Sequence, residues 1–208
     1  QFDVDQNNKF FINFNNDFIL GKSNSSNENF DILVFARRDI KRALIPSNII
    51  IIAPYAFMNC KLLKIIEFEK NSQLKFIQKK AFHCSSVTKI VIPPNVIEIS
   101  DFAFDNCYNL EKVDFADNSK LKTIGKRAFF NCHLENGIIF PPSLLKIDKL
   151  AFALPLCGRP QIIEIPEDSD LKTFDQNAFQ NSIDVLVMFS RKSNAKGLIY
   201  NLCPFHKG

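Results

Sequence analysis

Six cysteines and three histidines are the residues of this 208-residue chain best equipped for chemistry. Thiols and imidazoles can bridge, hold a metal or attack an electrophile. Six thiols would allow three disulfides in a secreted protein. A metal site asks for ligands at set spacings, and the chain has no Cys-x-x-Cys pair. His83-Cys84 and Cys132-His133 are adjacent in sequence, which is not ligand spacing, so no metal and no other cofactor is expected. Nucleophilic catalysis needs an accessible thiolate beside a base. His83 and His133 flank repeated positions and are expected at loop corners, while His206 lies near the C terminus. None of the six glycines forms a phosphate-cradling array. No catalytic residue is expected.

Four of the thiols, Cys60, Cys84, Cys107 and Cys132, recur at intervals in the twenties, and a stronger repeat sets that phase. Ala-Phe occurs at Ala56-Phe57, Ala81-Phe82, Ala103-Phe104, Ala128-Phe129, Ala151-Phe152 and Ala178-Phe179, in steps of 25, 22, 25, 23 and 27 residues. Such a period marks a solenoid, in which no unit buries its apolar face alone. The chain carries 22 Phe and no Trp, as a core slot filled by one residue type would require. Each unit is expected to make two short strands. One holds Leu63/Ile66/Phe68, Ile90/Ile92, Val113/Phe115, Ile138/Phe140, Ile163/Ile165 and Val187/Phe189, and the other holds Leu74/Ile77, Val96/Ile99, Leu121/Ile124, Leu145/Ile147 and Leu171/Phe174. Pro93-Pro94 and Pro141-Pro142 lie between strands, where a missing amide suits a turn. The Ala-Phe segments are too short for long helices and are expected to form single helical turns. Pro-containing connections alternate with Asn/Asp-Ser ones, so the full period is two units, 47 or 48 residues.

The pattern A-F-x-x-C-x-x-L-x-x-I-x-I-P-x-x-V-x-x-I over roughly residues 40–190 resembles the BspA-like, treponemal-type leucine-rich repeat. The flank containing NDFILGKSN, DILVFARRDIKRALIPSNI and PYAFMNC resembles the trichomonad version. The resemblance implies a β-rich α/β right-handed solenoid of about six to seven coils with capped ends and no catalytic site. For many members it also implies cell-surface or extracellular display and adhesion to host-cell or matrix proteins. An insertion at 155–160 and Ser182 in place of Cys depart from the pattern.

The expected division is an N-terminal cap and polar loop over 1–30, a solenoid over 31–190 and a C-terminal cap or tail over 191–208. At one repeat phase the thiols should lie side by side in the core, so Cys60, Cys84, Cys107 and Cys132 are expected to be a reduced, buried ladder. Labelling is expected at Cys203, with Cys157 in the irregular fifth unit as a second candidate.

Strand side chains alternate faces, so the middle residue of each Ile-x-Ile points outward. These are Leu44, Glu67, Val91, Asp114, Ile139, Glu164 and Met188, apolar and acidic in turn. The neighbouring column is Arg42, Ile65, Lys89, Lys112, Gly137, Ile162 and Leu186. From these columns Ile65, Glu67, Lys89, Val91, Lys112, Asp114, Ile139, Ile162 and Glu164 are the candidate partner-binding residues, because extended apolar patches mark interaction sites. A protein partner is expected, self-association stays open, and an intracellular scaffold is the alternative to adhesion. With 26 basic and 22 acidic residues dispersed along the chain, no nucleic-acid partner is expected. No apolar stretch reaches the ~18 residues that span a bilayer. The chain begins at Gln1, as expected where a leader precedes the numbering, so the compartment is not read from a signal peptide. Asn24-Ser25-Ser26 fits a glycosylation acceptor, relevant only to a secreted protein.

Overall fold

The computed structural model describes residues 4–26, 28–134, 137–153, 161–166, 168–180 and 185–189, with the backbone alone for 161, 162 and 185–189. The two strand-forming stretches of each repeat lie on opposite sides of a β-solenoid. One side carries β4 (Arg42–Ile45), β6 (Ile65–Phe68), β8 (Lys89–Ile92), β10 (Lys112–Phe115), β12 (Ile138–Ile139), β14 (Gln161–Ile165) and β16 (Val185–Phe189). The other carries β5 (Ile51–Ile52), β7 (Phe76–Ile77), β9 (Glu98–Ile99), β11 (Thr123–Ile124), β13 (Lys146–Ile147) and β15 (Thr173–Phe174). Six such pairs make six coils among the described residues. Coil-to-coil pairs are parallel, with Ala43 opposite Ile66, Ile90 opposite Val113 and Ile138 opposite Ile163. The first side divides into a four-stranded sheet, β10-β8-β6-β4, and a three-stranded sheet, β12-β14-β16. The break falls at Gly137, whose φ of 71° leaves the extended region that Lys112 occupies one coil earlier.

Between the strands the Ala-Phe segments are tight β-turns, and no helix forms among the described residues. This corrects the expectation of single helical turns. Alternate amides serve two masters. Ala56 N–H donates to Ala53 O at 3.2 Å and Cys60 N–H to Phe57 O at 3.2 Å, closing turns within the coil. Phe57 N–H donates instead to Ala81 O of the next coil at 2.7 Å. Phe82, Phe104 and Phe129 repeat that bond at 2.7 Å to Ala103, Ala128 and Ala151. A helix would keep every amide for its own axis. The chain escapes by placing left-handed residues before Ala-Phe (Tyr55, φ 64°; Phe102, φ 60°) and after it (Asn59 and Asn106, φ 60°).

The Ala-Phe rings stack along the axis. Phe57–Phe82, Phe82–Phe104, Phe104–Phe129, Phe129–Phe152 and Phe152–Phe179 have centroid separations of 4.7, 4.8, 5.1, 5.2 and 5.3 Å, with rings within 10° of parallel. The spacing follows the ~4.8 Å separation of bonded strands. The small, fully buried alanines let the turns approach, and the rings fill the space between the strand rows.

At the N terminus β1 (Phe11–Phe14) and β2 (Phe18–Gly21) form an antiparallel hairpin that pairs through β2 with β3 (Ile32–Ala36). Phe18 meets Phe57 edge-on at 6.0 Å and ends the ring stack. The polar loop is tied down where Ser23 N and Oγ donate to the Asp31 carboxylate at 2.7 and 2.6 Å. An apolar first coil is thereby covered, as solenoid ends require.

Candidate surface on the strand face

The outward columns are in register. Leu44 lies opposite Glu67, Val91 opposite Asp114 and Ile139 opposite Glu164. In the second column Arg42, Ile65, Lys89 and Lys112 follow one another. Leu44, Val91 and Ile139 are 54%, 53% and 62% exposed, large values for apolar side chains. Glu67, Lys89 and Lys112 are exposed too, whereas Asp114 and Glu164 are half-buried. Ile65 is also half-buried, in register between Arg42 and Lys89. Ile162 is placed by its backbone alone.

Charges on this face pair among themselves. Arg42 Nη2 meets Glu67 Oε2 at 3.1 Å and Lys112 Nζ meets Asp114 Oδ2 at 2.8 Å. Pairs this exposed contribute about 0–1 kcal/mol and mainly fix side-chain direction. They leave the apolar residues of every second coil as the unsatisfied part of the surface. Beside them run two grooves that the residue pattern did not foretell. One, of about 710 Å³, lies between Leu44, Glu67 and Val91 and the Pro93-Pro94 turn. The other, of about 820 Å³, lies between Asp114, Ile139 and the Pro141-Pro142 turn. Pro turns after alternate strands are the sequence signal, since the two pairs stand one double period apart.

The thiols divide in a way the ladder expectation missed. Cys60, Cys107 and Cys132 are buried and free, but Cys84 is half-buried. The second unit has one residue fewer between Phe and Cys. Ser85 therefore occupies the buried slot, with its N–H donating to Phe82 O at 2.9 Å as Cys60 donates to Phe57 O. Cys84 falls instead on the left-handed position of Asn59, Asn106 and Asn131, with φ 58°. Cys107 Sγ donates to Phe82 O at 3.0 Å and Cys132 Sγ to Phe104 O at 3.2 Å, so these thiols are bonded across coils. Burial pushes the Cys107 thiol up to about 12 and raises that of Cys132 well above its ordinary value. Such thiols are inert at neutral pH. Cys157, Cys203, His206 and Ser182 lie outside the described residues. Among the described residues no three His, Cys, Asp or Glu side chains are grouped to hold a metal, and no helix is long and apolar enough to cross a membrane.

Repeated strand–turn–strand coils, a ring-stacked core and a regular outward face define a leucine-rich repeat solenoid. The profile of the BspA type leucine rich repeat region matches in six copies over residues 28–156 and 98–194, and the chain belongs to this family. A leucine-rich repeat protein from Eubacterium ventriosum is 19% identical, with a TM-score of 0.57 over 86% of this chain and 48% of that one. The pneumococcal vaccine antigen PcpA is 20% identical, with a TM-score of 0.46 over 78% of this chain and 53% of that one. A leucine rich cell surface protein from Faecalibacterium prausnitzii is 15% identical, with a TM-score of 0.41 over 88% of this chain and 75% of that one. The chain thus spans about half the length of the Eubacterium and pneumococcal proteins. No curated protein matches it. Proteins of this repeat class are protein-interaction modules and are typically non-catalytic.

Proposed function

We propose that the chain is a non-catalytic adhesion module, displayed at the cell surface, that engages a host-cell or matrix protein through the strand face. The observation that carries this reading is the exposed row Leu44, Val91 and Ile139, repeated every second coil beside two grooves. Apolar side chains left at more than half exposure on a regular sheet gain by being covered. Glu67, Asp114 and Glu164 lie between them and Lys89 and Lys112 flank them, giving the polar surround that orients a partner, while Ile65 and Ile162 sit at apolar positions of the neighbouring column. Family membership supports surface display, since many members of the BspA-like family are adhesins. The test is saturable attachment of the purified chain to host cells and to immobilised matrix protein, competed by excess unlabelled chain. Attachment that does not saturate, or association only with its own copies, contradicts the reading.

A second reading, an intracellular scaffold, is favoured by one observation: Cys60, Cys84, Cys107 and Cys132 are all free, as thiols remain in a reducing compartment. The gene separates the two, because an encoded signal peptide or membrane anchor outside this chain belongs only to the surface reading.

A further inference from the structure

Away from the strand face, three successive coils bring together a thiol with an imidazole, a carboxylate and a guanidinium at one corner. Cys84 Sγ lies 3.3 Å from His83 Nε2. His83 Nδ1 lies 2.9 Å from Asp105 Oδ2 on the next coil. Arg127, one coil further, meets Asp105 Oδ1 at 3.1 Å, and Asn106 Nδ2 donates to Oδ2 at 2.9 Å. The Asp105 side chain is 4% exposed and that of His83 is 20% exposed. The His83–Asp105 contact is short but off the hydrogen-bond axis, so the carboxylate acts on the ring mainly by its charge. A negative charge beside Nδ1 favours the proton there and leaves Nε2 to accept from the thiol.

The fold does not need this cluster. The same repeat position holds Met58 in the coil before His83 and Phe130 in the coil after Asp105. A buried ion costs desolvation that an apolar residue at that position avoids. The arrangement matches what activates a nucleophile: a thiol in reach of a base, and the base held by a third group. Cys84 alone among the four described cysteines is not fully buried.

We propose that Cys84 is a nucleophilic thiol that exchanges with low-molecular-weight disulfides, with His83 accepting its proton and the Asp105 charge favouring the ring tautomer that leaves Nε2 free to accept it. The Cys84 sulfur attacks one sulfur of the disulfide. A new bond forms between them, the original S–S bond breaks, and its electron pair leaves on the second sulfur. That thiolate takes the proton held by His83. The product is a mixed disulfide at Cys84 and one free small thiol, with no net oxidation.

The test incubates the folded chain with oxidised glutathione and follows each cysteine by mass spectrometry. Cys84 is expected to form its adduct about tenfold or more faster than Cys60, Cys107 or Cys132, and faster than a peptide spanning Ala81–Ser86, which keeps the adjacent histidine but lacks Asp105. His83→Ala should slow Cys84 by about tenfold or more, and added imidazole should restore part of the rate. Asp105→Asn should slow the reaction only while His83 is present, a dependence that a purely structural role would not show. A Cys84 rate no higher than the peptide's, or unchanged by His83→Ala, overturns the proposal. The peptide comparison stands even where a variant fails to fold.

Discussion

Ser85 Oγ lies 3.4 Å from Cys107 Sγ, so a hydroxyl fills in one coil the slot that a thiol fills in the next. The buried column reads Cys60, Ser85, Cys107, Cys132. All its side chains point the same way into the core, side by side. Alkylation of the native protein should therefore label Cys84 and spare Cys60, Cys107 and Cys132, and no crosslink should join neighbouring coils. Peptide mapping checks this. Recovery of a Cys107–Cys132 bridge would contradict the packing.

Burial of those thiols also sets a pH dependence. Cys107 loses its proton near 12 in the fold, against an ordinary value of 9.0, with Cys132 raised as well. The folded state then holds protons that the unfolded state releases. The resulting stability is fully present below pH 9 and declines as pH rises toward 12. Each such thiol contributes a slope of about 1.4 kcal/mol per pH unit. Urea unfolding at pH 8 and pH 10 measures the fall. Cys107→Ala should flatten it, and an unchanged slope would mean the thiol is solvated.

The left-handed positions distinguish the turns from helices. Ala is the better helix former, so Asn106→Ala would stabilise a helical turn. Both Asn106→Ala and Asn106→Gly lose the side-chain bonds to Asp105, Asn131 and Tyr108, but at φ 60° the Ala variant should be less stable than the Gly variant by about 1 kcal/mol. Thermal melting of the two variants decides between these outcomes.

Phe104 is fully buried and stacked on both sides, against Phe82 at 4.8 Å and Phe129 at 5.1 Å. Replacing it with Ala should cost about 3–5 kcal/mol. Because coils hold one another by nearest-neighbour contact, the loss should reach the adjoining coils. Hydrogen exchange at Phe82 and Phe129 amides, which bond to the next coil, should rise together.

Much of this was legible because a repeat states each rule several times. Ala-Phe carries the ring stack, and Ile-x-Ile carries the register that exposes Leu44, Glu67, Val91 and Ile139, whereas Gly137, expected in the neighbouring outward column, is buried. Residue type alone puts Cys84 in the buried column, whereas its distance from Phe82 does not. Counting three residues on from Phe82 reaches Ser85, as three from Phe57 reaches Cys60. A β-turn and a single 3₁₀ turn both bond i to i+3, so segment length does not separate them. Asn at positions 59, 106 and 131 carried the difference, whereas Tyr55, Phe102 and Leu150 adopt positive φ with no signal in their side chains. The grooves depend on how far a Pro-Pro turn stands off the sheet, and the corner cluster draws Asp105 and Arg127 from separate coils, which no local pattern encodes.

The most direct measurement is attachment by the Val91→Lys, Ile139→Lys double variant. Both side chains are exposed, at 53% and 62%, so the coils should keep their melting temperature within a few degrees. Two charges placed in the apolar row should reduce attachment to host cells or matrix protein at least tenfold, since an unpaired charge is costly to cover. Undiminished attachment by the folded variant would contradict a binding role for the strand face.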